Sequence, residues 1–167
     1  MKKLIILLVA LVSLTTAYCQ TADEYVIMGV SKANLGDVRG AIADFTKAIE
    51  IDPNKASAYY GRILAKTSLG DHRGTIADYT KVIEIDPNDA TAYYGRGKSK
   101  EKLKDYRGAI ADYTKAIKID PNYAKAYLNR GFSKLMLGQK DSGCLDMSKA
   151  GELGVGQAYD RIKKLCN

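Results

Sequence analysis

The only prolines in this chain stand at positions 53, 87 and 121, each 34 residues from the next. Each sits in the string Ile-Asp-Pro-Asn, at 51–54, 85–88 and 119–122. Residues 52–85 and 86–119 are identical at 22 of 34 positions. A strict period of this length restricts the chain to a repeat architecture. Each unit is too small to bury its own apolar face and must stack on its neighbours to close a core. The full 167 residues suffice for one such continuous core.

Within a unit the apolar residues return every three or four places, which predicts two helices per repeat, over 56–69 and 72–85 in the best-formed case. Gly70-Asp71 separates them: a glycine accepts the left-handed cap and an aspartate caps the next helix. Pro87 stops the second helix, because proline lacks an N–H and disfavours a helical residue before it. A helix of about 14 residues is about 21 Å long.

These features resemble the tetratricopeptide-repeat family. Its pattern asks for a bulky aromatic, a small residue soon after, an Ala opening the second helix, an aromatic within it and a closing Pro. The second unit has Tyr59, Gly61, Thr75, Tyr79 and Pro87; the third has Tyr93, Gly97, Ala109, Tyr113 and Pro121. The first is looser, with Tyr25, Gly29, Ala41, Phe45 and Pro53. The fourth keeps Tyr127 and Gly131 but has Gly143 for the Ala, Met147 for the aromatic and no Pro. The expected fold is all-α, a right-handed α-solenoid of four helix pairs over 22–55, 56–89, 90–123 and 124–157, the last degenerate. A capping helix is expected over 158–167, with Ala158, Ile162 and Leu165 on one face and Asp160, Arg161, Lys163 and Lys164 on the other.

Arg62, Arg96 and Arg130 recur on first helices, and Asp44, Asp78, Asp112 and Asp146 on second helices. One charge of each sign per unit predicts a ladder of ion pairs between packed helices rather than a basic stripe for a ligand. Gly40, Gly74 and Gly108 open the second helices, where close approach of backbones is a sufficient reason for them. Gly95-Arg96-Gly97 lies inside a predicted helix and is no nucleotide fingerprint.

The N-terminus reads as an export signal over 1–19. Lys2 and Lys3 precede an apolar run from Leu4 to Leu14, followed by a small and polar stretch. The run is too short to span a bilayer core, which needs about 20 residues. Ala17 and Cys19 occupy the positions that a signal peptidase reads, so cleavage before Gln20 is expected and the location is periplasmic or secreted. A second reading makes Cys19 a lipid-anchored first residue, though Tyr18 fits that slot poorly. Cleavage leaves Cys144 and Cys166, an even pair for an oxidising compartment. They straddle the turn from Gly151 to Gly156 almost symmetrically, so antiparallel packing predicts a disulfide pinning the cap, worth about 3 kcal/mol. The alternative is two separate buried thiols.

No catalytic constellation is assembled. His72 is the one histidine, it follows a turn and has no counterpart in other units. Two cysteines and a distant histidine lack the clustering that zinc needs. The chain is therefore read as not an enzyme, without cofactor, metal or nucleic-acid partner. The family resemblance implies that first helices line a concave face where a partner peptide or helix lies. Equivalent positions there carry Val26, Tyr60, Tyr94 and Leu128, then Val30, Leu64, Lys98 and Phe132, with Lys102 beyond. Amphipathic rings suit such a groove, since they offer area at low entropic cost, although some of these side chains could instead pack on neighbouring helices. A chaperone-tail clamp is not implied, because Val26, Val30 and Gly61 stand where its polar groups belong.

Charge divides the chain. Residues 22–89 carry 8 basic and 11 acidic side chains, net −3, and residues 90–167 carry 16 and 8, net +8. Lys98, Lys100, Lys102 and Lys104 form a basic run whose alternation spreads it around a helix, either as a solvated face or as a site for an acidic partner. Two functions follow as expectations: an adaptor or scaffold binding a partner on the concave face, or a structural envelope component, lipid-anchored in the second reading of Cys19, that engages an acidic partner through its basic half.

Overall fold

The computed structural model describes residues 20–156, 158 and 164–166. Eight helices are found among them: α1 Ala22–Asn34, α2 Val38–Ile51, α3 Ala56–Ser68, α4 His72–Ile85, α5 Ala90–Lys102, α6 Tyr106–Ile119, α7 Ala124–Met136 and α8 Lys140–Glu152. They form four antiparallel pairs that stack into an α-solenoid, each helix packing on the one before and the one after. First helices of successive pairs also approach one another, α1 with α3 and α5 with α7. The expected signal over 1–19 lies outside the described residues. So does most of the expected capping helix, of which Ala158 is fully buried and 164–165 are helical.

The punctuation between helices follows local chemistry. Asp37, Asp71 and Asp105 each accept a hydrogen bond from the backbone N–H three residues on, at 2.9, 2.8 and 2.9 Å. The glycines receiving these carboxylates explain themselves: a Cβ on Gly40 or Gly74 would lie 2.0 Å from Oδ2 of the capping aspartate. The pressure on those glycines is thus the cap side chain, where the sequence suggested close backbones. In the fourth pair backbones do approach, and a Cβ on Gly131 would lie 2.6 Å from the Gly143 carbonyl oxygen. Gly36, Gly70 and Gly138 turn the chain with positive φ, and Lys104 takes the equivalent place with φ 62°.

Stacking is aromatic into glycine. The Phe45 ring lies over Gly29 of its own pair and Gly61 of the next, so a Cβ on Gly61 would come within 2.4 Å of it. Tyr79 meets Gly95 in the same way, at 2.2 Å. Phe45 and Tyr113 are almost wholly buried, at 1% and 0% exposure, and Ala58, Ala92 and Ala126 let the layers close around them.

The charge ladder runs through all four pairs. Arg62 donates through Nε and Nη2 to Asp78 at 3.0 and 2.6 Å, and through Nη1 to Thr46 of the preceding pair at 3.0 Å. Arg96 repeats this with Asp112 and Thr80, and Arg130 with Asp146 and Thr114. Each carboxylate also meets a lysine, Lys66, Lys100 or Lys134, at 2.8 Å. One arginine therefore closes its own pair and fastens it to the previous one. The first pair departs from this: Met28 replaces the arginine, and Asp44 meets Lys32 alone at 2.7 Å.

Candidate partner-binding site

The surface deepens where α5 and α7 meet. Two adjoining cavities of about 590 and 440 Å³ share Glu101, Lys102 and Asn129. The larger adds Tyr94, Lys98, Lys125 and Leu128, with the 154–156 turn at its rim. The smaller adds Lys104, Tyr106, Phe132 and Leu165.

The floor is held by an inter-repeat cluster. The Tyr94 ring packs on Tyr113 and on Tyr123, with centroids 5.8 and 4.9 Å apart. Its hydroxyl accepts from Asn129 Nδ2 at 3.1 Å. Burial, followed by the neighbouring Tyr123, pushes its phenol up to about 12. Glu101 is occupied: its Oε2 accepts from the Tyr113 hydroxyl at 3.1 Å and from Ser133 at 3.3 Å. The carboxylate is thereby drawn toward the scaffold. Lys98 stands over the Tyr94 ring at 5.8 Å, and Lys98, Lys102 and Lys125 are exposed. The surface offers ammonium groups beside aromatic faces, which suits a carboxylate-bearing segment with apolar side chains.

The nine groove positions taken from sequence divide between two settings. Tyr94, Lys98, Lys102, Leu128 and Phe132 converge on the two cavities. Leu128 is only 6% exposed and is chiefly core, packed with Met147, Ala150 and Ala158, with Phe132 against the same cluster. Val26, Val30, Tyr60 and Leu64 lie in the first two pairs, away from these cavities. Val26 packs on the Ala22, Ala48 and Ala58 cluster, whereas Val30 and Leu64 are 47% and 73% exposed. Tyr60 serves a seam between pairs: its ring meets Tyr79 edge-on and its hydroxyl donates to Asp89.

Cys144 on α8 and Cys166 are brought together, with Sγ atoms 2.03 Å and Cα atoms 5.9 Å apart. Among the described residues no three His, Cys, Asp or Glu side chains converge as a metal set, and no helix is long and apolar enough to cross a membrane. Sequence reasoning missed Glu101, Lys125, Asn129, Tyr106 and Leu165. Asn129 carried a signal, since it stands where the earlier units have Gly61 and Gly95. Leu165 carried only its place on the apolar face of the expected cap, and nothing in the repeat says which pair that face returns to.

Comparison with known proteins agrees with this architecture. Models described as tetratricopeptide repeat match residues 22–55, 90–123 and 112–144, and one described as TPR repeat matches 64–104, together more than half of the chain. A tetratricopeptide repeat protein 36 homolog from Nematostella vectensis is 51% identical over 41 residues, which is 25% of this chain and 23% of that protein. The chain therefore matches less than a quarter of that relative's length. A crystal structure of MamA superposes with a TM-score of 0.77 at 24% identity, covering 88% of this chain and 86% of that one. A thermophilic TPR protein in Thermus thermophilus gives 0.64 at 18%, covering 87% and 81%. At these identities the likeness establishes the solenoid fold. With the repeat models, the stacked aromatic–glycine contacts and the 34-residue period in agreement, the chain belongs to the tetratricopeptide-repeat family.

Proposed function

We propose that the chain is a non-catalytic scaffold that holds an extended, acidic segment of a partner protein on its inner face, between the third and fourth pairs. A tetratricopeptide solenoid suggests protein partners, and one local observation carries the finer reading. Lys98, Lys102 and Lys125 line one cavity with the Tyr94 ring, while the one carboxylate among them, Glu101, is engaged by Tyr113 and Ser133. The positive charge is thus left for a ligand. Its location in this reading is the periplasm or the medium, supported by the Lys2–Lys3 start, the apolar run Leu4 to Leu14 and the cysteine pair.

The test is titration with a fluorescein-labelled peptide of alternating Asp and Leu. Binding should weaken about tenfold in Lys98→Ala/Lys125→Ala, and similarly when salt rises from low to near-molar, where screening reaches about 3 Å. Affinity indifferent to both the lysines and salt would sink the acidic-partner reading. For export, the intact mass of mature protein should begin at Gln20. A mass beginning at Cys19 with acyl chains would establish the lipid-anchored envelope component instead.

A further inference from the structure

The chain after α8 belongs to the groove as much as to the core. Its 154–156 turn rims the larger cavity. Further on, Leu165 lines the smaller cavity with Lys102, Lys104 and Tyr106 of the third pair and Phe132 of the fourth. One residue further on, Cys166 is tied to Cys144. Leu165 remains 39% exposed, so its own burial holds it weakly. Among the described residues of this stretch the deep anchor is Ala158, a small side chain several residues away. A covalent tie beside Leu165 adds a restraint independent of that side chain's own burial.

We propose that the Cys144–Cys166 bond is a positioning device for the partner site: it holds Leu165 in place as an apolar wall facing the lysines. The inference rests on the groove reading above and sharpens the ligand. The occupant is an acidic segment carrying an aliphatic or aromatic side chain beside its carboxylates, the apolar group lying against Leu165 and Phe132. The oxidised chain presents the complete site, and the dithiol form presents the ammonium groups with that wall released. Reduction by a small dithiol breaks the single S–S bond and places two protons and two electrons on the Cys144 and Cys166 sulfurs. The reagent closes to its cyclic disulfide.

The experiment uses the full mature chain and the same Asp–Leu peptide, with a second peptide of alternating Asp and Ser. Oxidised wild type should bind the Asp–Leu peptide about tenfold more tightly than the reduced chain or Cys144→Ser/Cys166→Ser. Leu165→Ala, which keeps the bond, should lose most of the same factor, and the Asp–Ser peptide should not distinguish any of these forms. Leu165→Ala decides the matter even where reduction loosens the fourth pair, because its disulfide is intact. Unchanged Asp–Leu affinity in Leu165→Ala overturns the inference; if Lys98→Ala/Lys125→Ala still weakens binding, the groove reading stands alone. Failure of oxidised wild type to bind either peptide removes both.

Discussion

The first and third helix pairs are built on one plan and differ at the places where the plan is silent. In the third pair Asp112 holds two cations, Arg96 and Lys100, and the arginine reaches back to Thr80. In the first pair Met28 stands at the arginine position and Asp44 holds Lys32 alone. In the later pairs the arginine also bridges to a threonine of the preceding pair, a contact that Met28 does not make. The same contrast separates Val30 and Leu64, exposed and apolar, from Lys98 at the equivalent position of the third pair. What every pair needs for stacking is kept, and the first-helix positions that stacking does not use diverge and carry the charge.

The ladder offers the sharpest way to break this comparison. Removing one member of a buried ion pair strands its partners, at a cost of about 3–5 kcal/mol, so Asp78→Asn should lower the denaturation midpoint severely. Asp44→Asn, which strands a single half-exposed lysine, should cost less, about 1.5–3 kcal/mol. Equal losses in urea titrations would mean that the arginine bridge adds nothing. Next in size is the aromatic–glycine stack. Gly95→Ala places a methyl 2.2 Å from the Tyr79 ring and should cost about 1–3 kcal/mol. Gly156→Ala points into open space and should stay within about 0.5 kcal/mol, read by thermal melting.

A stabilising change is expected at the turn where the third pair departs from the others. Lys104 holds φ 62° where Gly36, Gly70 and Gly138 stand. Lys104→Gly relieves a left-handed lysine and should gain up to about 1 kcal/mol, less the entropy that glycine adds to the unfolded chain. A loss there would show that the Lys104 side chain does more than turn the chain. The smallest effect concerns pH. Burial, then the Asp89 contact, raises the Tyr60 phenol; burial, then Tyr123, raises Tyr94 to about 12. Phenols held protonated in the fold stabilise it fully below their unfolded value near 10, and that contribution is lost as pH rises beyond it. Stability should therefore fall above about pH 10, and less steeply in Tyr60→Phe/Tyr94→Phe.

Much of the scaffold was legible in the residues. The 34-residue period, the Asp caps and the recurring Arg and Asp located the helix pairs and the ladder, because these are local or strictly periodic signals. The lysine added to each ladder step was not read. Lys66, Lys100 and Lys134 recur as regularly as the arginines, but only packing reveals that a lysine and an arginine share one carboxylate. The groove was legible in part. Lys98 and Lys102 stood out through charge, whereas Glu101 was not singled out, because its engagement by Tyr113 and Ser133 depends on packing between helices.

By itself, then, the sequence determined the repeat unit, its two helices, their ends and the family. Those follow from backbone preferences and apolar spacing, which act over one or two turns and recur every 34 residues. Tertiary structure alone decided which equivalent positions face solvent, a seam or a cavity. Tyr60 and Tyr94 occupy the same place in the repeat, yet one donates to Asp89 and the other accepts from Asn129. It also decided that Leu165, outside the periodic region, returns to the third pair. Such placements depend on what the neighbouring pair presents and on a contact that spans the end of the solenoid, and periodicity encodes neither.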